Sequence, residues 1–255
     1  MNDDFGDRTV SVIIPVFNSH LHISDTLQSV LDQTYKDIEI VVVDDCSSDN
    51  SVSIIKKYQE NYSNIVLCMQ SVNSGVAAAR NKAIQLSRGR YIAFLDSDDL
   101  WKADKIEKQL KCLEQTESGF CFSAIEMISE SGEIVKGKRA IKEEIDYGFL
   151  LRNTMIATSS VILDRTKFQN ISMPLIRSGQ DYATWLRLLR DGRIAFGINE
   201  VLVSYRRTKN SLSSKKTRNF KKVFNIQVEH EGLDKFTASI NCLWYIINSL
   251  KKYYF

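Results

Sequence analysis

Apolar segments of five to seven residues alternate with amphipathic helical segments over the first hundred residues, and this alternation constrains the fold more than any other feature. Runs of β-branched and apolar residues are typical of parallel strands that are covered on both faces. Strands that alternate with helices predict an α/β fold, in which helices cover both faces of a doubly wound, mostly parallel sheet. The predicted strands are residues 10–16, 38–43, 65–69 and 91–95, and the predicted helices begin near Ile23, Val52 and Gly75.

Beyond residue 103 the helix and strand signals are less regular. The predicted helices are residues 105–113 and 181–189, and the predicted strands are residues 120–128, 159–163 and 201–205. A polar turn and a basic stretch continue to Lys142, and an amphipathic helix closes the chain. The regular alternation is therefore confined to the first hundred residues.

Composition and charge are those of an ordinary soluble globular protein. Of 255 residues, 44% are hydrophobic and 25% are charged, and a net charge of +3 is too small to indicate a nucleic-acid partner. The five cysteines show no C-x-x-C spacing, so we expect reduced thiols and no zinc site. The first ten residues are polar and acidic, and no apolar run reaches about 18 residues. We therefore expect a cytoplasmic protein without a signal peptide or a transmembrane helix.

Three carboxylates, Asp96, Asp98 and Asp99, crowd the exit of the fourth predicted strand. Like charges this close repel, so a divalent cation is the strongest reason for a fold to keep them together. Mg²⁺ and Mn²⁺ prefer oxygen ligands, and Mg²⁺ usually binds one or two carboxylates together with substrate phosphates. If the strand geometry persists, Asp96 and Asp98 point to the same side of the sheet. The alternative is a solvated acidic turn in which Asp99 caps the next helix.

Polar residues follow two further predicted strands, namely Asn18 after the first and the pair Asp44 and Asp45 after the second. In doubly wound sheets, ligands bind at the carboxyl ends of the strands. Together with the acidic cluster, these residues predict a ligand site at one edge of the sheet.

Five segments occur in an order that is typical of one family. They are residues 11–18 (SVIIPVFN), 39–51 (EIVVVDDCSSDNS), 73–81 (NSGVAAARN), 94–101 (FLDSDDLW) and 179–182 (GQDY). Together they resemble the inverting family 2 glycosyltransferases, and the resemblance covers residues 9 to about 210. The chain is most similar to bacterial transferases of capsule, O-antigen and teichuronic-acid assembly, which Tyr205 and Arg206, followed by residues 210–213 (NSLS), also resemble.

The resemblance implies the GT-A fold, which is a Rossmann-like, mostly parallel sheet with helices on both faces, followed here by a C-terminal helical extension. It also implies the transfer of a sugar, with inversion, from a UDP-linked donor to a glycan or lipid-linked acceptor in bacterial surface polysaccharide biosynthesis. The implied catalytic domain is residues 1–218, with a nucleotide-binding half (1–103) and an acceptor half (104–218). The extension is residues 219–255.

The resemblance also implies how the donor and a cation bind. Asp45 would accept a hydrogen bond from the uracil N–H. Asp44 is more often a turn carboxylate, with a contact to the donor as the alternative. Arg80 would lie near the base and the diphosphate, because a guanidinium suits both; the alternative is a surface charge on its helix. Asp96 would face the ribose or the metal, and Asp98 would ligate Mn²⁺ or Mg²⁺, which neutralises the leaving diphosphate. The donor-binding set is Pro15, Phe17, Asn18, Asp45, Arg80, Asp96, Ser97, Arg206 and Arg207.

Inversion requires an acceptor hydroxyl that attacks from the face opposite the leaving group and loses its proton during attack. One carboxylate suffices as the general base, without a covalent intermediate. The resemblance assigns this role to Asp181, although many members have Glu where this chain has Gln180. The local pattern offers the alternative that Asp181 caps its helix after Gly179.

Basic residues are concentrated in residues 206–222, which contain eight Lys and Arg and no acidic residue. One interpretation is a mobile lid in which Arg206 or Arg207 contacts the diphosphate while the later lysines stay at the surface. The other interpretation is a solvated face or a patch that attracts an anionic membrane.

The closing helix carries an apolar stripe. Its members are Ile240, Leu243, Trp244, Ile247 and Leu250, followed by Lys251, Lys252 and three aromatic residues. This pattern predicts a helix that lies reversibly on the inner face of the cell membrane, helped by Lys215, Lys216, Lys221 and Lys222. The alternative is a helix that packs on the domain or in a dimer interface.

Two other classes compete with a glycosyltransferase. A sugar-nucleotide pyrophosphorylase would have a Gly-rich loop after the first strand, where this chain has Phe17, Asn18 and Ser19. No G-x-G-x-x-G motif supports a dinucleotide-dependent dehydrogenase. A non-catalytic nucleotide-sugar-binding protein of the same fold would have lost carboxylates that this chain retains.

Overall fold

Ten strands form one sheet in this computed structural model, which describes residues 6–207 and 216–254. The strands are β1 (Gly6–Val16), β2 (Ile38–Asp44), β3 (Ile65–Met69), β4 (Gly89–Phe94), β5 (Leu100–Trp101), β6 (Phe120–Ile128), β7 (Ile134–Arg139), β8 (Glu144–Ile145), β9 (Ile162–Asp164) and β10 (Ala195–Arg206). The helices are α1 (Ile23–Leu31), α2 (Ser51–Asn61), α3 (Val76–Leu86), α4 (Lys105–Thr116), α5 (Tyr147–Leu151), α6 (Gln180–Leu189), α7 (Lys216–Glu229) and α8 (Lys235–Tyr254). Two 3-10 turns, Thr158–Ser160 and Arg165–Lys167, flank β9.

The strand order is β3-β2-β1-β4-β9-β6-β10-β5, with β7 beside β6 and β8 beside β10. The long ladders, β1 with β2 and β4, β2 with β3, and β6 with β10, are parallel. The antiparallel pairs are short, and β9 joins the two parallel groups by pairing antiparallel to both β4 and β6. This topology confirms the predicted α/β fold with a mostly parallel sheet.

The sheet separates two apolar cores, because side chains alternate between its faces. In β2, Val41 and Val43 belong to one core, whereas Ile40 and Val42 belong to the other. Helices α1, α2 and α4 cover one face, and α3, α5, α6, α7 and α8 cover the other. Burial on both faces explains why these strands read as uninterrupted apolar runs.

Beyond shifts at the ends of elements such as β1 and β4, three regions differ from the prediction. Residues 159–163 were expected to form one strand, but the 3-10 turn Thr158–Ser160 precedes the shorter strand β9. The basic stretch before Lys142 contains β7, which pairs with the edge of β6 and is mostly exposed, so it lacks an apolar signal. Strand β10 begins at Ala195, well before the predicted start at residue 201, because its irregular register with β6 interrupts the apolar pattern.

The C-terminal helices pack on the domain through one face. Val223 and Ile226 of α7 and Cys242 of α8 are buried in the same core as α6. The opposite face of α8 exposes apolar side chains, including Ile240, Leu243 and Trp244. Among the described residues, no helix has the length and apolar character needed to cross a membrane.

Candidate active site

The acidic cluster lies in a tight turn directly after β4. The strand ends at Phe94, and the backbone N–H of Asp99 donates to the carbonyl of Asp96 at 3.1 Å. Strand periodicity therefore does not extend to Asp96 and Asp98, so the expectation that both point to one side of the sheet had no structural basis. The cluster sits at the carboxyl end of β4, where the fold predicts a ligand site.

Arg80 of α3 reaches this turn and pairs with Asp96. Its side chain is only 4% exposed, and its guanidinium donates to the Asp96 carboxylate. The Nη1 atom also lies 3.8 Å from the sulfur of Met173. The alternative of a surface charge is therefore wrong, and the structure brings two predicted donor residues together.

The other two carboxylates are held in an environment that disfavours their charge. Burial, reinforced by the neighbouring charge of Asp96, raises the pKa of Asp98 to about 6. Burial also raises the pKa of Asp99 well above its ordinary value, with Asp96 and Asp98 adding to the effect. A cation beside this turn would reverse the shift at Asp98, because a bound metal is often the largest local charge in a site.

The donor atoms of the turn fit a divalent cation that is only partly ligated by protein. Among the described residues, no group of three or more His, Cys, Asp and Glu side chains is arranged to hold a metal. The backbone of Asp98 itself contributes a hydrogen bond to the Asp98 carboxylate. Asp98, with Asp96 beside it, would supply one or two oxygens, and substrate phosphates would supply others, as is usual for Mg²⁺.

Asp99 has a different role from its neighbours. It is fully buried, and its carboxylate accepts from the Ser159 hydroxyl at 2.5 Å and from the backbone N–H of Arg206 at 2.9 Å. The N-cap of α4 is Asp104, so the predicted alternative of Asp99 as a helix cap is wrong. Asp99 ties the acidic turn to β10 and to the Thr158–Ser160 turn.

Asp44 and Asp45, at the end of β2, both accept hydrogen bonds from the backbone of the protein. Asp45 accepts from the backbone N–H groups of Ser74 and Gly75, at 2.7 and 2.8 Å, and so fixes the start of α3. Asp44 accepts from the Ser47 N–H at 3.0 Å, as expected of a turn carboxylate. Both are buried, and the role of Asp45 toward a base stays a prediction.

The loop after β1 lies against the loops after β2 and β4. Asn18 has a positive φ of 50°, and its side-chain oxygen accepts from the Ser48 N–H at 2.8 Å. The Ser97 hydroxyl lies 2.6 Å from the Ser19 hydroxyl. Phe17 is exposed. Pro15, which was predicted to contact the donor, is buried inside β1, so its side chain is not accessible to a donor.

Asp181 lies in the first turn of α6 and is half-buried. Its Oδ2 atom accepts from the Thr158 hydroxyl at 3.1 Å. Gly179 is the N-cap, so the predicted alternative of Asp181 as the cap is wrong. Gly179 has a φ of +84°, and a Cβ there would come within 2.7 Å of Ile226, so this helix start requires glycine.

Arg206 is a correction to the predicted donor set. It is 4% exposed, and its guanidinium donates to the backbone carbonyls of Asp98, Ser129 and Glu130. Its donors therefore hold main chain, not a diphosphate in a mobile lid. Arg207 is exposed, and residues 208–215, in the middle of the predicted lid, lie outside the described residues.

Two site residues, Thr158 and Ser159, were not identified from the sequence. The prediction of a strand over residues 159–163 hid Ser159, because a strand residue is not expected to use its hydroxyl in a turn, and Thr158 directly precedes that predicted strand. The available signal was the run of three hydroxyl side chains, Thr158, Ser159 and Ser160, directly before an apolar segment.

Comparisons with known proteins place the chain in a family. The profile of glycosyl transferase family 2 matches residues 11–171. TuaG of Bacillus subtilis (strain 168), which is named for teichuronic acid biosynthesis, is 41% identical over 243 residues, or 95% of this chain and 96% of that protein. WfaP of Escherichia coli, named as a UDP-Glc:alpha-D-GlcNAc-diphosphoundecaprenol beta-1,3-glucosyltransferase, is 39% identical and covers 96% of each chain. The chain therefore belongs to glycosyl transferase family 2.

Solved structures share the fold at low sequence identity. TarS of S. aureus (residues 1–349, in complex with UDP-GlcNAc) has a TM-score of 0.72 at 18% identity, over 93% of this chain and 71% of that chain. The mannosyltransferase PcManGT from Pyrobaculum calidifontis, in complex with GDP-Man and Mn²⁺, has a TM-score of 0.69 at 19% identity, over 91% and 67%. These matches confirm the predicted GT-A architecture.

Proposed function

We propose that this glycosyltransferase is metal-dependent and inverting, and that it transfers a sugar from a UDP-linked donor to a saccharide or lipid-linked saccharide. The observation that carries the proposal is the arrangement of carboxylates. Asp96 and Asp98 follow β4 beside the buried Arg80, and the adjacent residues Thr158 and Ser159 link this turn to Asp181.

On the donor side, Asp98 would hold Mn²⁺ or Mg²⁺, and Asp96 would contact the ribose or the metal. The cation, when bound, stabilises the charge that develops on the leaving diphosphate. Arg80 pairs with Asp96 and so orients it while contributing positive charge beside the base and the diphosphate. Asp45, Phe17, Asn18, Ser97 and Arg207 complete the proposed donor contacts.

On the acceptor side, Asp181 is the general base. It accepts the proton of the acceptor hydroxyl as that oxygen attacks the anomeric carbon from the face opposite the diphosphate. Because a single displacement inverts the anomeric centre, one carboxylate completes the reaction without a covalent intermediate.

The names of two relatives support a proposal for the substrates. WfaP is named for a UDP-glucose donor and an acceptor that carries GlcNAc on diphosphoundecaprenol. WfgD of Escherichia coli, 34% identical over 98% of this chain, carries the same description. We therefore assign to this chain a UDP-hexose donor and a lipid-diphosphate-linked sugar as acceptor, in surface polysaccharide synthesis.

The proposed lipid-linked acceptor supports a location at the cytoplasmic face of the membrane, and α8 offers a surface for that contact. Phe236, Ile240, Leu243 and Trp244 are exposed on α8, while Cys242 faces the core. Such a face suits a helix that lies on a membrane surface. The structure does not describe the side chains of Leu250, the last residue of the predicted stripe, or of the two lysines that follow it, Lys251 and Lys252. Lys215 lies outside the described residues.

We also propose the division of the chain into a nucleotide-binding half (1–103), an acceptor half (104–218) and a C-terminal extension (219–255). The parallel strands β1–β4 lie before the first boundary and the mixed strands β6–β10 lie after it, which supports that boundary. Helix α7 begins at Lys216, close to the second.

The test is a panel of UDP-sugars and GDP-mannose, each with Mn²⁺, Mg²⁺ or EDTA, and a synthetic GlcNAc-diphospholipid as acceptor. Release of UDP and a glycosylated lipid are measured. The proposal predicts metal-dependent transfer from a UDP-hexose. Transfer that is undiminished in EDTA would contradict the metal assignment, and activity with GDP-mannose alone would contradict the donor assignment.

A further inference from the structure

One short turn, Thr158–Ser160, contacts both Asp181 and the acidic turn that follows β4. Thr158 is 7% exposed and Ser159 is 1% exposed. The Thr158 hydroxyl donates to Asp181 Oδ2 at 3.1 Å. The hydroxyl of the next residue, Ser159, donates to Asp99 Oδ2 at 2.5 Å and accepts from the backbone N–H of Asp96 at 3.1 Å.

The turn is held from behind by its backbone carbonyls. The Ser159 carbonyl accepts from the indole N–H of Trp101 at 2.8 Å. The Ser160 carbonyl accepts from the side-chain amide of Gln109 at 2.8 Å. Gln109 in turn accepts from the buried Lys105 ammonium at 2.5 Å. Most connecting segments lie on the surface and are mobile, whereas this one is buried and tied to β5 and α4.

Displacement at the anomeric carbon depends on the relative position of two groups that come from different elements. The first group is the proposed metal-binding turn, which contains Asp96, Asp98 and Asp99 and follows β4. The second group is Asp181, which lies on α6. A misplacement of about 1 Å between such groups can reduce a rate by about a hundredfold. Thr158 and Ser159 are neighbours in the chain, so one peptide unit of constant length separates their Cα atoms. Because one binds Asp181 and the other binds the turn after β4, they limit the distance between these two groups.

We propose that the Thr158–Ser160 turn is a positioning element that sets the general base relative to the metal-binding turn. The inference rests on the proposed roles of Asp181 and Asp98. Thr158 holds one oxygen of Asp181 and thereby the orientation of the carboxylate. Ser159 holds the Asp96 backbone and Asp99, and thereby the shape of the metal-binding turn.

Substitution of Thr158 tests the first half of the proposal. Thr158→Val keeps the shape and removes the donor, so kcat for transfer falls about tenfold while KM for the UDP-sugar stays unchanged. Thr158→Ser, which retains the hydroxyl, restores most of the rate. The matched control is Thr184→Val, because Thr184 is also buried but donates to the Gln180 carbonyl within α6. Equal losses in both Val variants would overturn the proposal.

Substitution of Ser159 gives the opposite pattern. Ser159→Ala weakens the binding of UDP in the presence of Mn²⁺ about tenfold, measured by calorimetry, because Asp99 and the Asp96 amide lose their shared partner. The control is Ser123→Ala, since the buried Ser123 hydroxyl has no hydrogen-bond partner within the described part of the chain. Unchanged UDP affinity in Ser159→Ala, with the thermal unfolding temperature also unchanged, would contradict this half.

A double variant separates this inference from the proposed function. If Thr158 acts through Asp181, Thr158→Val costs little more in an Asp181→Asn background. A full tenfold loss in both backgrounds would show that Thr158 acts independently, which overturns the positioning role. If Asp181→Asn alone retains full transfer, the proposed base is wrong whatever the Thr158 variants show.

Discussion

The two sides of the candidate active site are held to very different degrees. On the donor side, Asp96 pairs with a buried arginine, and Asp99 is fully enclosed by hydrogen bonds from Ser159 and Arg206. On the acceptor side, Asp181 is half-buried in the first turn of α6, with a hydrogen bond from Thr158. The proposed donor side is thus preorganised around crowded carboxylates, whereas the Asp181 carboxylate of the proposed acceptor side stays partly exposed. The two sides should therefore respond differently to substitution.

The largest effect is expected on the donor side. Asp98→Asn keeps the size of the side chain but removes the charge that holds the cation, so kcat/KM should fall roughly a thousandfold. Asp104→Asn is the control, because Asp104 is an exposed carboxylate that pairs with Lys108. Transfer assays with saturating Mn²⁺ measure both. Activity within a few-fold of wild type in Asp98→Asn would remove the metal ligand from the account.

On the acceptor side, Asp181→Asn should reduce transfer by roughly a hundredfold, because the amide cannot accept the acceptor proton. Donor binding should survive, since Asp181 is absent from the donor contacts. Asp191→Asn, an exposed carboxylate just after the same helix, is the control. If Asp181→Asn weakens UDP binding as much as it slows transfer, Asp181 belongs to the donor side and the two sides are not distinct.

The pH dependence of unfolding tests the burial of Lys105, which contacts Gln109 behind the Thr158–Ser160 turn. Burial lowers the pKa of Lys105 from 10.5 to about 7. The unfolded chain therefore binds one more proton between these values, so the free energy of unfolding should rise with pH across this window, by up to about 1.4 kcal/mol per pH unit. In Lys105→Met this contribution should vanish. Urea unfolding at neutral pH and about two units higher measures both slopes; equal slopes would show that Lys105 is not buried as described.

The smallest expected effect concerns the membrane. Leu243→Asn on α8 should reduce co-sedimentation with anionic vesicles at low salt several-fold, because Leu243 is 57% exposed and its loss leaves the core intact. Ile134→Asn on β7 is a matched exposed control. Truncation after Ser239 is less informative, since it would also remove the buried Cys242. Equal sedimentation of both variants and wild type would show that α8 is not a membrane contact.

The sequence predicted the parallel region well because both faces of its strands are buried. Strand β3 and helix α1 match their predicted positions, and β2 differs from its prediction by only one residue. In the mixed region, β7 is an exposed edge strand and β10 has an irregular register, so neither carries a clear apolar period. Local pattern fails at an exposed edge such as β7, and where pairing with a strand far away in the sequence decides the register, as for β10 with β6.

The candidate site was predicted in its residue types but not in its contacts. Arg80, Asp96 and Asp181 were identified, but the Arg80–Asp96 pair joins α3 to the turn after β4, and no helix or strand period in the sequence indicates that contact. Arg206 was assigned to a phosphate because its charge is visible in the sequence, whereas its burial against backbone carbonyls is not. Thr158 and Ser159 were missed because a hydroxyl gains a role only from what lies opposite it.

The division between the two sides is tested most directly by calorimetric binding of UDP, with and without Mn²⁺, to wild type, Asp98→Asn and Asp181→Asn. We expect Mn²⁺ to strengthen UDP binding in wild type and Asp181→Asn alike, and to have no effect in Asp98→Asn. An undiminished Mn²⁺ effect in Asp98→Asn, or its loss in Asp181→Asn, would contradict the account.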